Sequence, residues 1–339
     1  MQKHKHFFEE FTGKSADSFI ELPRSGSSRI NYIGSFENGK FVITYNENNR
    51  ENEAFFYFSK LFKSLGLNTP KVFKINDNRD LYVQEFLGSQ TLSEVISEEG
   101  LSDRVKILVK KSLKNLFDLQ TKTLGRVDFR HSFEYESYDD LPITHDLYYF
   151  KNFLINVLEI EYHKSTLLKE FKSISEIIQK LVPKTLMIRD FQSRNILVDE
   201  KDYVFFIDYQ SAMEGPATYD VISFLYQAKA NFPNDFKEEM LEYYLSFWEN
   251  ESEKLALKES FEWMKMMRFL QVLGAYGFRG LIQRKSHFLA SLAQGIDNIY
   301  ELNQNWKEIA VQFPELYFLI LRLKSKEIQS KIQELMIES

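Results

Sequence analysis

Two short stretches of the chain concentrate oxygen-bearing side chains at spacings that suit work on a hydroxyl group beside a divalent cation. They are Ile188-Arg189-Asp190-Phe191-Gln192-Ser193-Arg194-Asn195 and Phe206-Ile207-Asp208-Tyr209-Gln210. Asp190 lies five residues before Asn195, and Asn195 thirteen before Asp208, which closes an apolar strand. An aspartate on a tight loop can accept a hydroxyl proton. An asparagine five residues on and an aspartate at a strand end can converge on Mg²⁺, which prefers hard oxygen ligands and keeps water and phosphate in its shell. In most chains an isolated Asp and Asn at this spacing form an ordinary turn, so the surrounding elements decide what the pair means.

Those elements are legible in the hydrophobic pattern. Residues 29–36 and 40–45 are β-rich runs joined through Glu37-Asn38-Gly39, and Asn-Gly between such runs predicts a hairpin. Ala54, Phe55, Phe58, Leu61, Phe62 and Leu65 recur at helical spacing and stop at Gly66, with Pro70 beyond. Short strands follow near residues 72–75 and 80–86. Leu87-Gly88-Ser89-Gln90 reads as a link, because Thr91-Leu92-Ser93-Glu94 behind it has capping-box spacing and opens a helix. Beyond the link the chain turns helical: Val105, Leu108, Val109, Ser112, Leu113 and Leu116 form one face, and residues 147–181 and 235–339 hold long periodic stretches. One island of β-type runs, at 185–188, 196–198 and 203–207, interrupts the helices and carries both informative stretches. The expected fold class is α+β, with a small β-rich lobe over residues 1–86 and a larger, mostly helical lobe over 87–339 that contains a short hairpin.

Composition narrows the chemistry. The chain has 339 residues, with 31 Phe, 18 Tyr and 3 Trp, enough large apolar side chains to offset the entropy of ordering. With 43 Lys+Arg against 49 Asp+Glu, the net charge of −6 gives no electrostatic reason to expect nucleic acid or an anionic membrane as partner. No run of about eighteen apolar residues occurs, so no membrane-spanning helix is expected. A small-molecule substrate fits better. The absence of cysteine excludes thiolate nucleophiles, thiolate zinc sites, iron–sulfur clusters and disulfide frameworks. The N-terminal residues, Met1 to Glu10, lack the apolar core of a signal peptide and read as a solvated tail, giving a cytoplasmic assignment. Neither G-x-G-x-x-G nor G-x-x-x-x-G-K-[ST] is present, which argues against dinucleotide binding and P-loop hydrolysis.

With the elements in this order, Asp190, Asn195 and Asp208 have the D-x-x-x-x-N…D arrangement of the kinase superfold, and the chain resembles its aminoglycoside phosphotransferase and choline kinase branch. Within that branch the likeness is to the cell-wall amino-sugar kinases that phosphorylate N-acetylmuramate and N-acetylglucosamine at the anomeric hydroxyl. Leu22-Pro23-Arg24-Ser25-Gly26-Ser27-Ser28-Arg29 resembles that group's nucleotide loop, and Gly215-Pro216-Ala217-Thr218-Tyr219-Asp220 its segment after the metal aspartate. Leu270-Gln271-Val272-Leu273-Gly274-Ala275-Tyr276-Gly277 and His287-Phe288-Leu289 resemble its C-terminal helices, so the likeness spans about residues 5–300. It implies a bilobal protein-kinase-like fold, ATP and Mg²⁺ as cofactors, Asp190 as catalytic base, and Asn195 and Asp208 as Mg²⁺ ligands. It also implies that the backbone of Ser25, Gly26, Ser27 and Ser28, with Arg29, covers the ATP phosphates, and that backbone groups of Glu85 and Leu87 form the adenine-binding hinge. The implied acceptor is a small sugar, whose anomeric phosphate suits a downstream sugar-phosphate nucleotidyltransferase. An aminoglycoside O-phosphotransferase is the nearest enzyme alternative. Residues 130–165, however, mix Asp139, Asp140, Asp146, Glu159 and Glu161 with Lys151 and Lys164, where a polycation calls for a strongly acidic cleft.

The chain also departs from the family pattern. Arg189 resembles the middle of H-R-D, but the usual His is Ile188; Gln192 stands where many small-molecule kinases have His or Lys, and Arg194 is a candidate to neutralise charge there. The second strand of the hairpin, Phe41-Val42-Ile43-Thr44-Tyr45, has no Lys at its far end, where kinases place the one that holds the phosphates. Arg29 and Lys40 are candidate replacements, with Glu53 on the following helix as candidate partner carboxylate. These losses motivate a third reading, a nucleotide-binding pseudokinase without turnover, against which the intact Asp190, Asn195 and Asp208 weigh. Gly274, Gly277 and Gly280 read as a tight helix-packing stripe, Asp220 as a buried carboxylate bracing the catalytic loop, and Tyr149 and Lys151 as candidate acceptor-pocket residues. His145 and His163, without partners at metal-ligand spacing, read as surface or satisfied histidines.

Overall fold

The computed structural model describes all residues except 24–28, 38, 338 and 339. The chain forms two compact units, Met1–Glu136 with Thr185–Glu214, and Ser137–Lys184 with Gly215–Ser339.

The first unit opens with helix α1 (Gln2–Thr12), followed by β1 (Ser18–Glu21), β2 (Ile30–Phe36), β3 (Gly39–Tyr45), α2 (Asn49–Ser64), β4 (Val72–Ile75) and β5 (Leu81–Glu85). The strands form an antiparallel sheet in the order β1-β2-β3-β5-β4. The hairpin predicted from Asn-Gly is present as β2 and β3, which pair from Ile30 opposite Tyr45 to Phe36 opposite Gly39. Asn38 itself lies outside the described residues. Alternation along the strands divides the sheet into two faces. Tyr32, Ile43 and Val83 pack with Phe7 and Phe8 of α1 on one face. On the other face, Tyr82 meets the rings of Phe55 and Phe56 from α2 at 5.3 and 5.0 Å.

Helix α1 corrects the expectation of a solvated N-terminal tail. Phe7 and Phe8 are buried, Phe11 packs beside them, and His4 stacks on Tyr45 at 4.7 Å. The signal lay in Phe7, Phe8 and Phe11, which share one side of a helix.

Next come β6 (Gln90–Thr91), α3 (Leu92–Glu99) and α4 (Asp103–Thr123). Thr91 and Glu94 form the predicted capping box at the start of α3. The chain rejoins this unit through β7 (Lys184–Met187), β8 (Ile196–Val198), β9 (Val204–Phe206) and β10 (Met213–Pro216), with sheets ordered β6-β8-β9 and β10-β7. The sequence-based boundary at 86/87 therefore falls within the unit. Gly88 makes the junction possible: its φ is +116°, and a Cβ there would stand 3.1 Å from the Val198 carbonyl oxygen.

The second unit is helical: α5 (Asp140–Phe150), α6 (Lys164–Ile178), α7 (Thr218–Leu225), α8 (Asn234–Leu245), α9 (Glu251–Tyr276), α10 (Ser286–Asn305), α11 (Lys307–Gln312), α12 (Pro314–Leu323) and α13 (Lys326–Ile337). Helices α5 and α9 each run on into a π-helical segment, Lys151–Ile155 and Gly277–Ile282. The glycine stripe packs as expected. A Cβ at Gly274 would lie 2.7 Å from the Phe150 nitrogen, and one at Gly277 only 2.1 Å from the Phe153 carbonyl oxygen. Among the described residues no helix is long and apolar enough to cross a membrane.

Candidate active site

Asp190, Asn195 and Asp208 all lie in the first unit, and one hairpin explains how a thirteen-residue gap closes. Strands β8 and β9 pair with Ile196 opposite Phe206. One step outward, the Asn195 carbonyl accepts the Ile207 N–H at 3.0 Å, which sets Asn195 beside the residue preceding Asp208. A short 3₁₀ turn, Ser193–Asn195, brings the chain from Asp190 into β8, and the Asn195 N–H bonds the Gln192 carbonyl at 2.8 Å. Arg189 and Asp208 both adopt positive φ, +72° and +63°. Aspartate tolerates this region better than most residues, whereas the buried Arg189 is held there against its preference.

The Asn195 side chain joins the other two candidates. Its Nδ2 donates to the Asp190 carbonyl at 2.9 Å and lies 3.4 Å from Asp208 Oδ2. With the nitrogen engaged, Oδ1 is the atom left to face a cation. Asp208 Oδ1 accepts from Arg29 Nη1 and from Gln210 Nε2, each at 2.9 Å. Gln210 Oε1 is buried with no hydrogen-bond partner among the described residues. Among those residues no cluster of three or more His, Cys, Asp or Glu is placed to hold a metal. Mg²⁺ needs less from the protein, because water and phosphate complete its octahedron. The oxygens of Asn195 and Asp208 fit that ion, and the unmatched Gln210 oxygen is the kind of acceptor that a metal-bound water satisfies.

The expected partner carboxylate is corrected. Glu53 pairs with Arg79 at the surface, and Lys40 lies over the Phe86 ring at 5.6 Å. The carboxylate that meets a cation beside Asp208 is Glu51, whose Oε1 accepts from Arg29 Nη2 at 2.6 Å. Its other oxygen accepts from Asn46 Nδ2 at 2.7 Å. Asn46 and Asn52 are both buried and bonded to each other at 3.0 Å, and Asn52 also donates to the carbonyls of Asn46 and Arg79, each at 2.8 Å. Sequence reasoning missed Glu51, Asn46 and Asn52. The available signal was an asparagine at position 52 on the side of α2 that the phenylalanines otherwise occupy.

Burial works against the charge of Arg29, but Tyr82 and the carboxylates of Asp208 and Glu51 outweigh it and raise its pKa above the ordinary arginine value. Burial also pushes the Tyr82 hydroxyl up to about 12, partly offset by Arg29. Strand β9 is braced against α2 and the turn after it: Tyr209 shares a 2.7 Å hydrogen bond with Ser59, and the Phe206 N–H bonds the Asn68 carbonyl at 2.9 Å.

Of the expected nucleotide contacts, Ser25, Gly26, Ser27 and Ser28 lie outside the described residues. Glu85 ends β5 opposite Phe41, with its N–H on the Lys71 carbonyl at 2.8 Å, and Leu87 follows two residues on. The remaining candidates are in the second unit. Tyr149 contacts the rings of Phe153 and Phe278 at 4.7 and 6.0 Å, and burial raises its hydroxyl pKa while the Arg279 charge lowers it. Lys151 lies over Tyr148 at 5.3 Å, and Asp220 is buried in the first turn of α7. His145 stacks on Tyr149 and His163 caps α6, the satisfied roles expected of them.

A model of the APH phosphotransferase enzyme family matches residues 20–258. The chain belongs to this family. It is 23% identical over 282 residues to an N-acetylmuramate/N-acetylglucosamine kinase of Neisseria meningitidis serogroup B, covering 79% of this chain and 78% of the relative. Among solved structures it resembles choline kinase LicA from Streptococcus pneumoniae, with a TM-score of 0.61 at 13% identity over 89% of this chain and 100% of that one. It also resembles a thermostable mutant of aminoglycoside phosphotransferase APH(4)-Ia in a ternary complex with ADP and hygromycin B, with a TM-score of 0.57 at 14% identity over 87% and 98%. These likenesses give the phosphotransferase the expected protein-kinase-like α+β fold, with its sheet in the N-terminal region and helices in the C-terminal region.

Proposed function

We propose that this phosphotransferase is an ATP- and Mg²⁺-dependent kinase that phosphorylates the anomeric hydroxyl of an N-acetylated amino sugar. The observation that carries the kinase reading is the Asn195 side-chain amide, which bonds the Asp190 backbone and reaches the Asp208 carboxylate. The Neisseria relative supports the acceptor class, and the ADP complex of the aminoglycoside phosphotransferase supports the nucleotide.

In this reading Asp190 orients the acceptor hydroxyl and takes its proton as the hydroxyl oxygen bonds the γ-phosphorus and the bond to ADP breaks. Asn195 Oδ1 and Asp208 hold Mg²⁺, which supplies neutralisation of charge on the β- and γ-phosphates. Backbone groups of Glu85 and Leu87 take the adenine. Positioning and electrostatics account for most of the rate. ATP as donor places the reaction in the cytoplasm, and the product, an anomeric sugar phosphate, suits consumption by a nucleotidyltransferase.

The test is Mg·ATP-dependent ADP release with N-acetylmuramate, N-acetylglucosamine, N-acetylgalactosamine, kanamycin and choline, with Asp190→Ala as the blank. Turnover on an amino sugar, with phosphorus NMR placing the phosphate at C1, is expected. Turnover on kanamycin or choline alone overturns the acceptor assignment, and nucleotide binding without turnover on any acceptor turns the reading to a pseudokinase.

A further inference from the structure

Kinases hold the nucleotide phosphates with a lysine at the end of the strand motif V-A-I-K, paired with a carboxylate on the following helix. In this chain the corresponding run is Phe41-Val42-Ile43-Thr44, so a threonine stands at the lysine position. Thr44 is buried, and its hydroxyl is committed within the sheet. It donates to Asn31 Oδ1 at 2.7 Å and accepts from Gln84 Nε2 at 3.0 Å. Position 44 therefore offers no cation.

The register of the sheet shows where the charge has gone. Asn31 on β2 lies directly opposite Thr44 on β3. Arg29 stands immediately before β2, two residues before Asn31. Its guanidinium, carried in from the start of that neighbouring strand, lies between Glu51 at 2.6 Å and Asp208 at 2.9 Å, with the side chain only 11% exposed. Glu51 sits in the first turn of α2, on the helix from which a kinase partner carboxylate comes, and the buried Asn46–Asn52 pair fixes its second oxygen.

We propose that Arg29 is the phosphate-holding cation of this enzyme, moved one strand over from position 44, with Glu51 as its anchor. The inference rests on the kinase reading above. A guanidinium suits the relocation better than an ammonium. It carries five N–H donors in a fixed plane and keeps its charge when buried, and its planar fork matches both carboxylate and phosphate oxygens. A lysine at position 29 has one nitrogen for all of these partners.

The experiment is calorimetric binding of Mg·ADP and of adenosine to the full chain and its variants. Adenosine occupies the base site without phosphates, so it separates a phosphate contact from general damage to the fold. Arg29→Ala is expected to weaken Mg·ADP at least tenfold and to leave adenosine within twofold. Arg29→Lys, which keeps the charge, is expected to recover only part of the loss, and it carries the test if the alanine variant fails to fold. Glu51→Gln is expected to weaken Mg·ADP as well, with the Arg29→Ala/Glu51→Gln double variant no worse than the poorer single one. Wild-type affinity for Mg·ADP in both Arg29 variants, or equal weakening of Mg·ADP and adenosine, overturns the assignment of Arg29 while leaving the kinase reading intact. A wild-type protein that binds neither ligand overturns the kinase reading itself.

Discussion

Asn195 holds Asp190 by the backbone: its Nδ2 donates to the Asp190 carbonyl at 2.9 Å, so the position of the proposed base follows from the residue proposed to bind the metal. Two substitutions separate these roles. Asn195→Asp keeps an oxygen toward the cation and removes the donor to Asp190, so it should bind Mg·ADP and turn over slowly. Asn195→Ala removes both; either variant strands the Asp190 carbonyl and should cost about 1–2 kcal/mol of stability, but only the alanine variant should also weaken Mg·ADP. Calorimetry distinguishes the two, and urea denaturation checks the shared loss. Equal turnover of wild type and Asn195→Asp would show that the Asp190 loop is held by something else.

Asp190→Ala isolates the chemical step. The Asp190 side chain is half-buried, and the Asn195 bond takes its backbone carbonyl rather than its carboxylate. The variant should keep the stability of the wild type and its affinity for Mg·ADP, and lose on the order of 10²–10⁴ in turnover, the usual weight of a positioned acid or base. Steady-state kinetics on the best acceptor of the panel provides the check. A loss confined to KM would assign Asp190 to acceptor binding instead.

Most of this arrangement was legible before the structure because it is local. The Asn-Gly hairpin, the Thr91–Glu94 capping box and the Asp190-to-Asp208 island are each written in fewer than twenty consecutive residues, where turn chemistry and β-pairing dominate. What escaped is long-range or depends on which helical face is buried. Arg29 and Asp208 are 179 positions apart, and nothing in either segment encodes their contact. Glu51 and Glu53 stand two residues apart on α2 and point to different partners, Arg29 and Arg79, a distinction that only the helix's rotation against the sheet decides. Helix α1 was missed because its polar residues masked Phe7, Phe8 and Phe11, whose value appears only once the sheet offers them a face.

The glycines of the second unit should differ in their tolerance of alanine. In a helix interior, replacing Gly by Ala gains up to about 1 kcal/mol from backbone entropy. At Gly277 the new Cβ would stand 2.1 Å from the Phe153 carbonyl, a backbone atom that cannot step aside, so overpacking should win by about 1–3 kcal/mol. At Gly280 the nearest neighbours are a Leu289 side-chain carbon and the Leu289 nitrogen, both at 3.3 Å, a milder crowding than at Gly277, so the loss there should be the smaller of the two. Urea midpoints of the two variants test this ranking, and a Gly277→Ala protein as stable as the wild type would contradict the close approach of the π-helical segments that follow α5 and α9.

The turn between β8 and β9 should carry a small, pH-dependent share of stability. Arg104 forks onto the Asp202 carboxylate, with Nε at 3.0 Å and Nη2 at 2.8 Å from Oδ1, and Lys111 bonds the Asp202 carbonyl at 2.7 Å. The hydrogen bonds from Arg104 lower the Asp202 pKa below its ordinary value against a slight opposing effect of burial. The unfolded chain then binds this proton more readily than the folded one, so the contribution is present above the ordinary aspartate pKa and is lost as pH falls through the depressed value. Because the pair is about one-third exposed, its share should be about 0.5 kcal/mol. Asn tolerates the φ of +59° at this position, so Asp202→Asn changes the charge without straining the turn. The variant should be less stable than the wild type near neutral pH, and the difference should shrink as pH falls through the depressed Asp202 pKa and in about 1 M salt. A deficit that persists in acid would locate the effect in the turn's hydrogen bonds rather than in its charge.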